Sequence, residues 1–154
     1  MSIPEKVDIK TWIAFISMVV GMFMAVLDIQ IVASSLKELQ AGLFASQDEI
    51  NLVQTSYLIA EVIIIPLSGW LTKAFSTRLV FAFSCAGFTI MSFAFALAWN
   101  MNSMIVFRVL QGVFGGSMIP VVFSSIYAFF PIKIRSTVIV IVGLVVTVAP
   151  IAGP

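Results

Sequence analysis

The chain contains no histidine and a single cysteine, and only 10% of its 154 residues are charged. Without histidine or a second cysteine, a thiolate or imidazole metal site lacks its ligands. Cys85 lies inside an apolar run, cannot close an internal disulfide, and reads as a small apolar filler. The net charge is +1, and no basic cluster is interleaved with aromatics, which argues against nucleic acid as a partner. No nucleophile–base constellation is visible, so an enzyme is not expected. Polar surface is scarce as well. A soluble domain carries about a quarter charged residues, whereas here 61% of residues are hydrophobic and the mean hydropathy is +1.16. Such a chain cannot dress a water-soluble globule, and a bilayer is its natural solvent.

What the chain does have is long apolar runs. Crossing a bilayer takes roughly 20 apolar residues, and five stretches qualify: 11–35, 50–71, 79–99, 104–130 and 136–154. The first follows Lys6 and Lys10, as in a signal peptide. It is far longer than the 7–15 residues of an ordinary signal core and carries Asp28, so it reads as an uncleaved span. Unpaired backbone groups are costly in lipid, so every span must be a helix. The expected fold is an all-α integral membrane protein, a partial helix bundle. Lys6, Lys10, Lys73, Arg78, Lys133 and Arg135 fall on one side and only Lys37 on the other. The positive-inside rule makes the first side, with the N-terminus, cytoplasmic. Trp12 and Trp99 fall at the expected interfaces.

Three ionisable residues lie well inside the spans: Asp28, Glu61 and Arg108. Each costs about 2.5–3.5 kcal/mol at a helix centre, so such residues pair, line a water-filled path, or do both. The first span runs outward and the fourth inward. Counted at 1.5 Å per residue, Asp28 and Arg108 differ in depth by only about 3 Å, so a pair between them is geometrically reasonable. Helical spacing groups Asp28 with Gly21, Ala25 and Ser35, Glu61 with Gln54, Tyr57 and Ser68, and Arg108 with Gln111, Gly112 and Gly115. Polar stripes of this kind should not face lipid. The third span has no charge and is expected at the lipid-facing periphery. Gly112 and Gly116 form a G-x-x-x-G pair suited to close helix packing. Pro66, Pro120 and Pro150 interrupt three spans, which membrane helices tolerate where neighbours satisfy the freed backbone groups.

Four segments resemble signature motifs of the major facilitator superfamily, in the order found in its fourteen-span drug:proton antiporters, the EmrB-like multidrug efflux subunits. Leu27-Asp28-Ile29-Gln30-Ile31-Val32 is similar to the first-span motif L-D-x-T-I-V. Gly69-Trp70-Leu71-Thr72-Lys73, followed by Arg78, is similar to the loop motif G-x-L-a-D-r-x-G-r-k. Arg108-Val109-Leu110-Gln111-Gly112 is similar to R-x-x-Q-G of the fourth span. Ala149-Pro150-Ile151-Ala152-Gly153-Pro154 is similar to the fifth-span antiporter motif A-P-x-x-G-P-x-x-G-G. The chain departs from these patterns with Lys73 for aspartate, Ser76 for glycine, Gln30 for threonine and Ala33 for asparagine. Glu61 lies outside all four.

The resemblance implies an N-terminal part of an antiporter of the bacterial inner membrane that exports hydrophobic, often cationic drugs. The sixth span and the second half are expected beyond Pro154. It implies no cofactor, a proton gradient as energy source, and a periplasmic adaptor and outer-membrane channel as partners. A carboxylate's proton affinity depends on burial and on nearby cations. On that basis Asp28 is the expected protonation site, Arg108 its modulator, and Glu61 a second proton site or an anchor for cationic drug. Gln54, Tyr57 and Gln111 are candidates for the substrate cavity, and Gly69, Leu71, Arg78, Gly112, Gly116, Pro150, Gly153 and Pro154 are motif positions. The rival readings are a non-transporting membrane scaffold or assembly subunit, and a short chain that oligomerises into a transport path.

Overall fold

The computed structural model describes residues 7–152; Lys6, Gly153 and Pro154 lie outside the described residues, as do the side chains of Leu43 and Ala152. Five helices follow one another: α1 Ile9–Leu43, α2 Gln47–Phe75, α3 Thr77–Ala96, α4 Met101–Phe129 and α5 Ile132–Ala152. All five are long and apolar enough to cross a membrane. The described residues contain no strand.

Polar residues, rather than the edges of the apolar stretches, set several of the helix ends. Ser46 and Glu49 form a capping box, with the Glu49 N–H donating to Ser46 Oγ and the Ser46 N–H to Glu49 Oε2. Two of the orphan donors at the start of α2 are thereby satisfied, and the helix begins at Gln47, ahead of the expected apolar edge. Asn100 and Ser103 do the same for α4. That cap claims the chain from Asn100 onward, so α3 ends at Ala96 and Trp99 sits in the turn rather than inside the third span. α1 continues past Ser35 through the exposed Lys37 and Glu38. At 1.5 Å per residue it reaches about 50 Å, well beyond a hydrocarbon core of about 30 Å. At the other end of α4, Arg135 donates from Nε to the Phe130 carbonyl and from Nη2 to the Tyr127 carbonyl. It thereby satisfies backbone acceptors that the helix itself leaves open.

α4 is the hub and packs against each of the other four helices. Its tightest seam, with α2, exists because glycine exposes bare backbone. A Cβ on Gly112 would stand 2.5 Å from the Tyr57 carbonyl oxygen, and one on Gly116 2.8 Å from the Glu61 Cα. The G-x-x-x-G pair is therefore the surface on which α2 lies. α3 meets α4 through Phe88 and through a Ser84–Ser117 hydroxyl contact of 2.6 Å. It buries one narrow stripe and leaves Phe83, Ile90 and Phe93 exposed, as a lipid-facing helix does. α2, α4 and α5 each stay helical through their proline.

Two apolar clusters fill the interior. One gathers Met22, Ala25, Tyr57, Phe88 and Met118; the other gathers Val32, Ile50, Val53 and Met104. Between them, along each of the first four helices, the chain changes character. Asp28 lies between Ala25 and Val32, Gln54 between Val53 and Tyr57, Ser92 between Phe88 and Phe95, and Arg108 follows Met104. A thin polar layer is thus enclosed between two apolar ones.

Candidate functional site

Arg108 is the centre of that layer. Its side chain has 0% exposure, and Asp28 has 22%. The guanidinium Nη1 donates to Asp28 Oδ2 at 2.6 Å and to Gln111 Oε1 at 2.8 Å. Nη2 donates to Gln54 Oε1 at 3.3 Å. A buried guanidinium needs both a counter-charge and acceptors for its remaining protons, and the three partners come from three helices. Asp28 is on α1, Gln54 on α2 and Gln111 on α4 itself.

The amides are themselves held in place. Gln111 Nε2 donates to Ser92 Oγ on α3 at 2.8 Å, and Gln54 Nε2 donates to the Ile29 carbonyl on α1 at 3.4 Å. Aromatic faces complete the enclosure. The Arg108 Cζ lies 4.4 Å from the Tyr57 ring centroid and 5.3 Å from that of Phe95, within cation–π range. Arg108 Nε and the buried Tyr57 hydroxyl have no hydrogen-bond partner. The hydroxyl sits over Gly115, where a Cβ would come within 2.5 Å of it.

The expected Asp28–Arg108 pair is thus present. The stripe expected around Glu61 faces α4: Tyr57 and Ser68 are buried, and Gln54 and Glu61 are half-buried. Glu61 packs its Cγ and Cα against Gly116, one turn along α2 from Tyr57, and is not drawn into the ion pair. Tyr57 and Gln111, expected at a substrate cavity, are enclosed by helix packing and direct their contacts to Arg108. Two apolar clefts lie away from the ion pair. An apolar one of 330 Å³ between α2, α3 and α4 is lined by Ile64, Leu71, Phe75, Phe83 and Phe114. Another, of 600 Å³, runs between α1 and α5 past Trp12, Phe15, Phe23 and Val142. Neither is lined by Asp28, Glu61 or Arg108.

Gly69 stands in open space beside a cleft that also includes Lys73. Arg78 borders a cleft with Lys10. Pro150 is inside the last turns of α5. Ser76, which stands where the loop motif has glycine, has φ 99° and ψ 145°. Ser92 and Phe95 are the members of the site that sequence reasoning missed. Their only signal is helical spacing on α3, three residues apart and level with the α4 arginine.

Residues 14–154 match the family model described as Major Facilitator Superfamily. The chain is 48% identical over 143 residues to the colistin resistance protein EmrB of Acinetobacter baumannii, covering 93% of this chain and 28% of that relative. It is 32% identical to the fatty acid resistance protein FarB of Neisseria gonorrhoeae, covering 98% of this chain and 30% of the relative. It is 34% identical to the multidrug export protein EmrB of Escherichia coli K12, covering 90% and 27% respectively. The chain therefore spans less than a third of the length of these curated relatives.

Proposed function

Because the chain belongs to the major facilitator superfamily, we propose that it forms part of a proton-coupled multidrug efflux transporter, a drug:proton antiporter exporting hydrophobic and cationic compounds. It is a multi-pass protein of the bacterial inner membrane. The observation that carries the coupling mechanism is the buried ion pair. A carboxylate on α1 and a guanidinium on α4 meet at 2.6 Å in a polar layer enclosed between two apolar clusters. Such charges are expensive in a membrane and mark ion paths and proton relays.

In this reading Asp28 takes up the proton. Its side chain is 22% exposed, while that of Arg108 is fully enclosed. Protonation removes one member of the pair, and helix motion that parts Asp28 from Arg108 changes the proton affinity of the carboxylate. Each event therefore favours the other, which is the requirement for coupling. Glu61, half-buried and outside the pair, serves as a second proton site or as the anchor of a cationic substrate. The driving force is the proton gradient, with no cofactor. By resemblance to the efflux subunits, a periplasmic adaptor and an outer-membrane channel complete the export path. A non-transporting scaffold is not favoured, since the relatives described above are named for resistance or export.

The test is Asp28→Asn in the full-length transporter carrying this segment, with efflux and proton movement followed in everted vesicles. The expected result is normal membrane insertion with loss of proton-coupled efflux. Normal coupled efflux by that variant would overturn the assignment.

A further inference from the structure

From the enclosure of Arg108 we infer that Tyr57 and Phe95, together with the Ser92-anchored Gln111, are positioning residues that fix the guanidinium on α2–α4, so that loss of the Asp28 charge frees α1 alone. This rests on the proton-coupling role proposed for Asp28. Every neutral support of Arg108 belongs to α2, α3 or α4: Gln54 and Tyr57 on α2, Ser92 and Phe95 on α3, Gln111 on α4. Among the described residues its one ion-pair partner, Asp28, is on α1. The other charge nearby is Glu61 on α2, while α3 carries no charged residue beyond Arg78 at its start. When Asp28 is neutral, the cation keeps two amide acceptors and two ring faces. These neutral supports hold it in place although its counter-charge is lost, while the tie from α1 at this level is the long Gln54–Ile29 hydrogen bond. The α2–α4 seam, by contrast, is locked by backbone-to-backbone approach at Gly112 and Gly116. The helix that shifts on proton uptake is then α1, against a fixed α2–α3–α4 unit.

Two measurements on the full-length transporter test this. Spin labels at Glu38→Cys on α1, Asp48→Cys on α2 and Asn102→Cys on α4, in a cysteine-free background, report the α1–α4 and α2–α4 distances. Asp28→Asn, as the neutral form, is expected to shift the first distribution and leave the second unchanged. Equal shifts in both, or none in the first, overturn the inference. In transport assays, Tyr57→Leu and Phe95→Leu are expected to lower the maximal rate about 10-fold with KM held within about two-fold, because they loosen Arg108 rather than touch substrate. Tyr57→Phe, which keeps the ring and removes a hydroxyl that has no partner, is expected to recover the rate. Leucine variants that run at the wild-type rate, or a phenylalanine variant as slow as leucine, defeat the proposal. If a leucine variant fails to reach the membrane, the distance pair decides. The two readings fail separately: an Asp28→Asn protein that still couples protons sinks the proposed function. An uncoupled Asp28→Asn protein with both distances changed sinks only the positioning role.

Discussion

Arg108 makes demands that no other side chain meets. Its planar fork reaches Asp28, Gln111 and Gln54 at once while the guanidinium lies near two aromatic rings. Lysine offers a compact ammonium that cannot bridge these acceptors in one plane. Arg108→Lys is therefore expected to be no better than Arg108→Ala, with proton-coupled efflux reduced at least about 10-fold in vesicles although the charge is kept. Activity near wild type for the lysine variant would mean that charge alone matters. Glu61 offers the opposite case, a half-buried carboxylate outside the ion pair. Glu61→Gln keeps its shape against Gly116 and removes its charge, so insertion and thermal stability should hold while efflux of permanently cationic dyes falls. Unchanged export of cationic and neutral substrates alike would remove Glu61 from the mechanism. The residues of this site differ in how readily sequence betrays them. Asp28 and Arg108 stand out because a charge in an apolar span is rare and costly. Gln54, Tyr57 and Gln111 stand out by their polarity, but polarity cannot reveal whether they face substrate or a guanidinium. Ser92 and Phe95 offer only their helical spacing, since a serine and a phenylalanine on an uncharged span read as ordinary packing.

At the scale of the helices, the apolar runs foretell that α1 to α5 exist, and the capping residues decide where they start. Ser46-x-x-Glu49 is readable as a capping box, yet hydropathy alone starts the second span at Ile50. The α2–α3 connection carries backbone strain at a non-glycine residue. Ser76 both ends α2 and begins α3, accepting from the Leu79 N–H at a long 3.5 Å, with φ at 99°. A side chain there is strained by about 1–3 kcal/mol, which glycine avoids. As the hydrogen bond lost is weak, Ser76→Gly is expected to stabilise the protein by about 1 kcal/mol, seen as a higher melting temperature in detergent. A lower one would show that the serine cap outweighs the backbone strain. At the α2–α4 seam the sign reverses. The added methyl in Gly112→Ala would meet the Tyr57 carbonyl at 2.5 Å, and that contact is backbone, which cannot rotate aside. Overpacking of this kind costs about 1–3 kcal/mol, and the displaced α2 carries Tyr57 with it, so stability and efflux should fall together.

The whole molecule poses a question of direction. Its polar layer is enclosed between two apolar clusters, so the vectorial path of a proton depends on which cluster lies toward the cytoplasm. The cluster containing Phe15, Val80 and Phe130 is at the end that carries Lys10, Lys73, Arg78, Lys133 and Arg135. The opposite end carries Lys37 together with Glu38, Asp48 and Glu49, and its α3–α4 turn has no basic residue. Basic residues are retained on the cytoplasmic side during insertion, whereas acidic ones contribute little to orientation. This asymmetry puts Asp28 nearer the outer face, where an inward-flowing proton of the proposed antiport cycle would first meet the protein. The arrangement can be checked with single cysteines in the full-length transporter after Cys85→Ala. Asn102→Cys should react with a membrane-impermeant maleimide added to spheroplasts, and Lys133→Cys should react only after the membrane is opened. The reverse pattern would turn the molecule over. Asp28 would then load its proton from the cytoplasmic side, against the gradient that the antiport cycle is proposed to use.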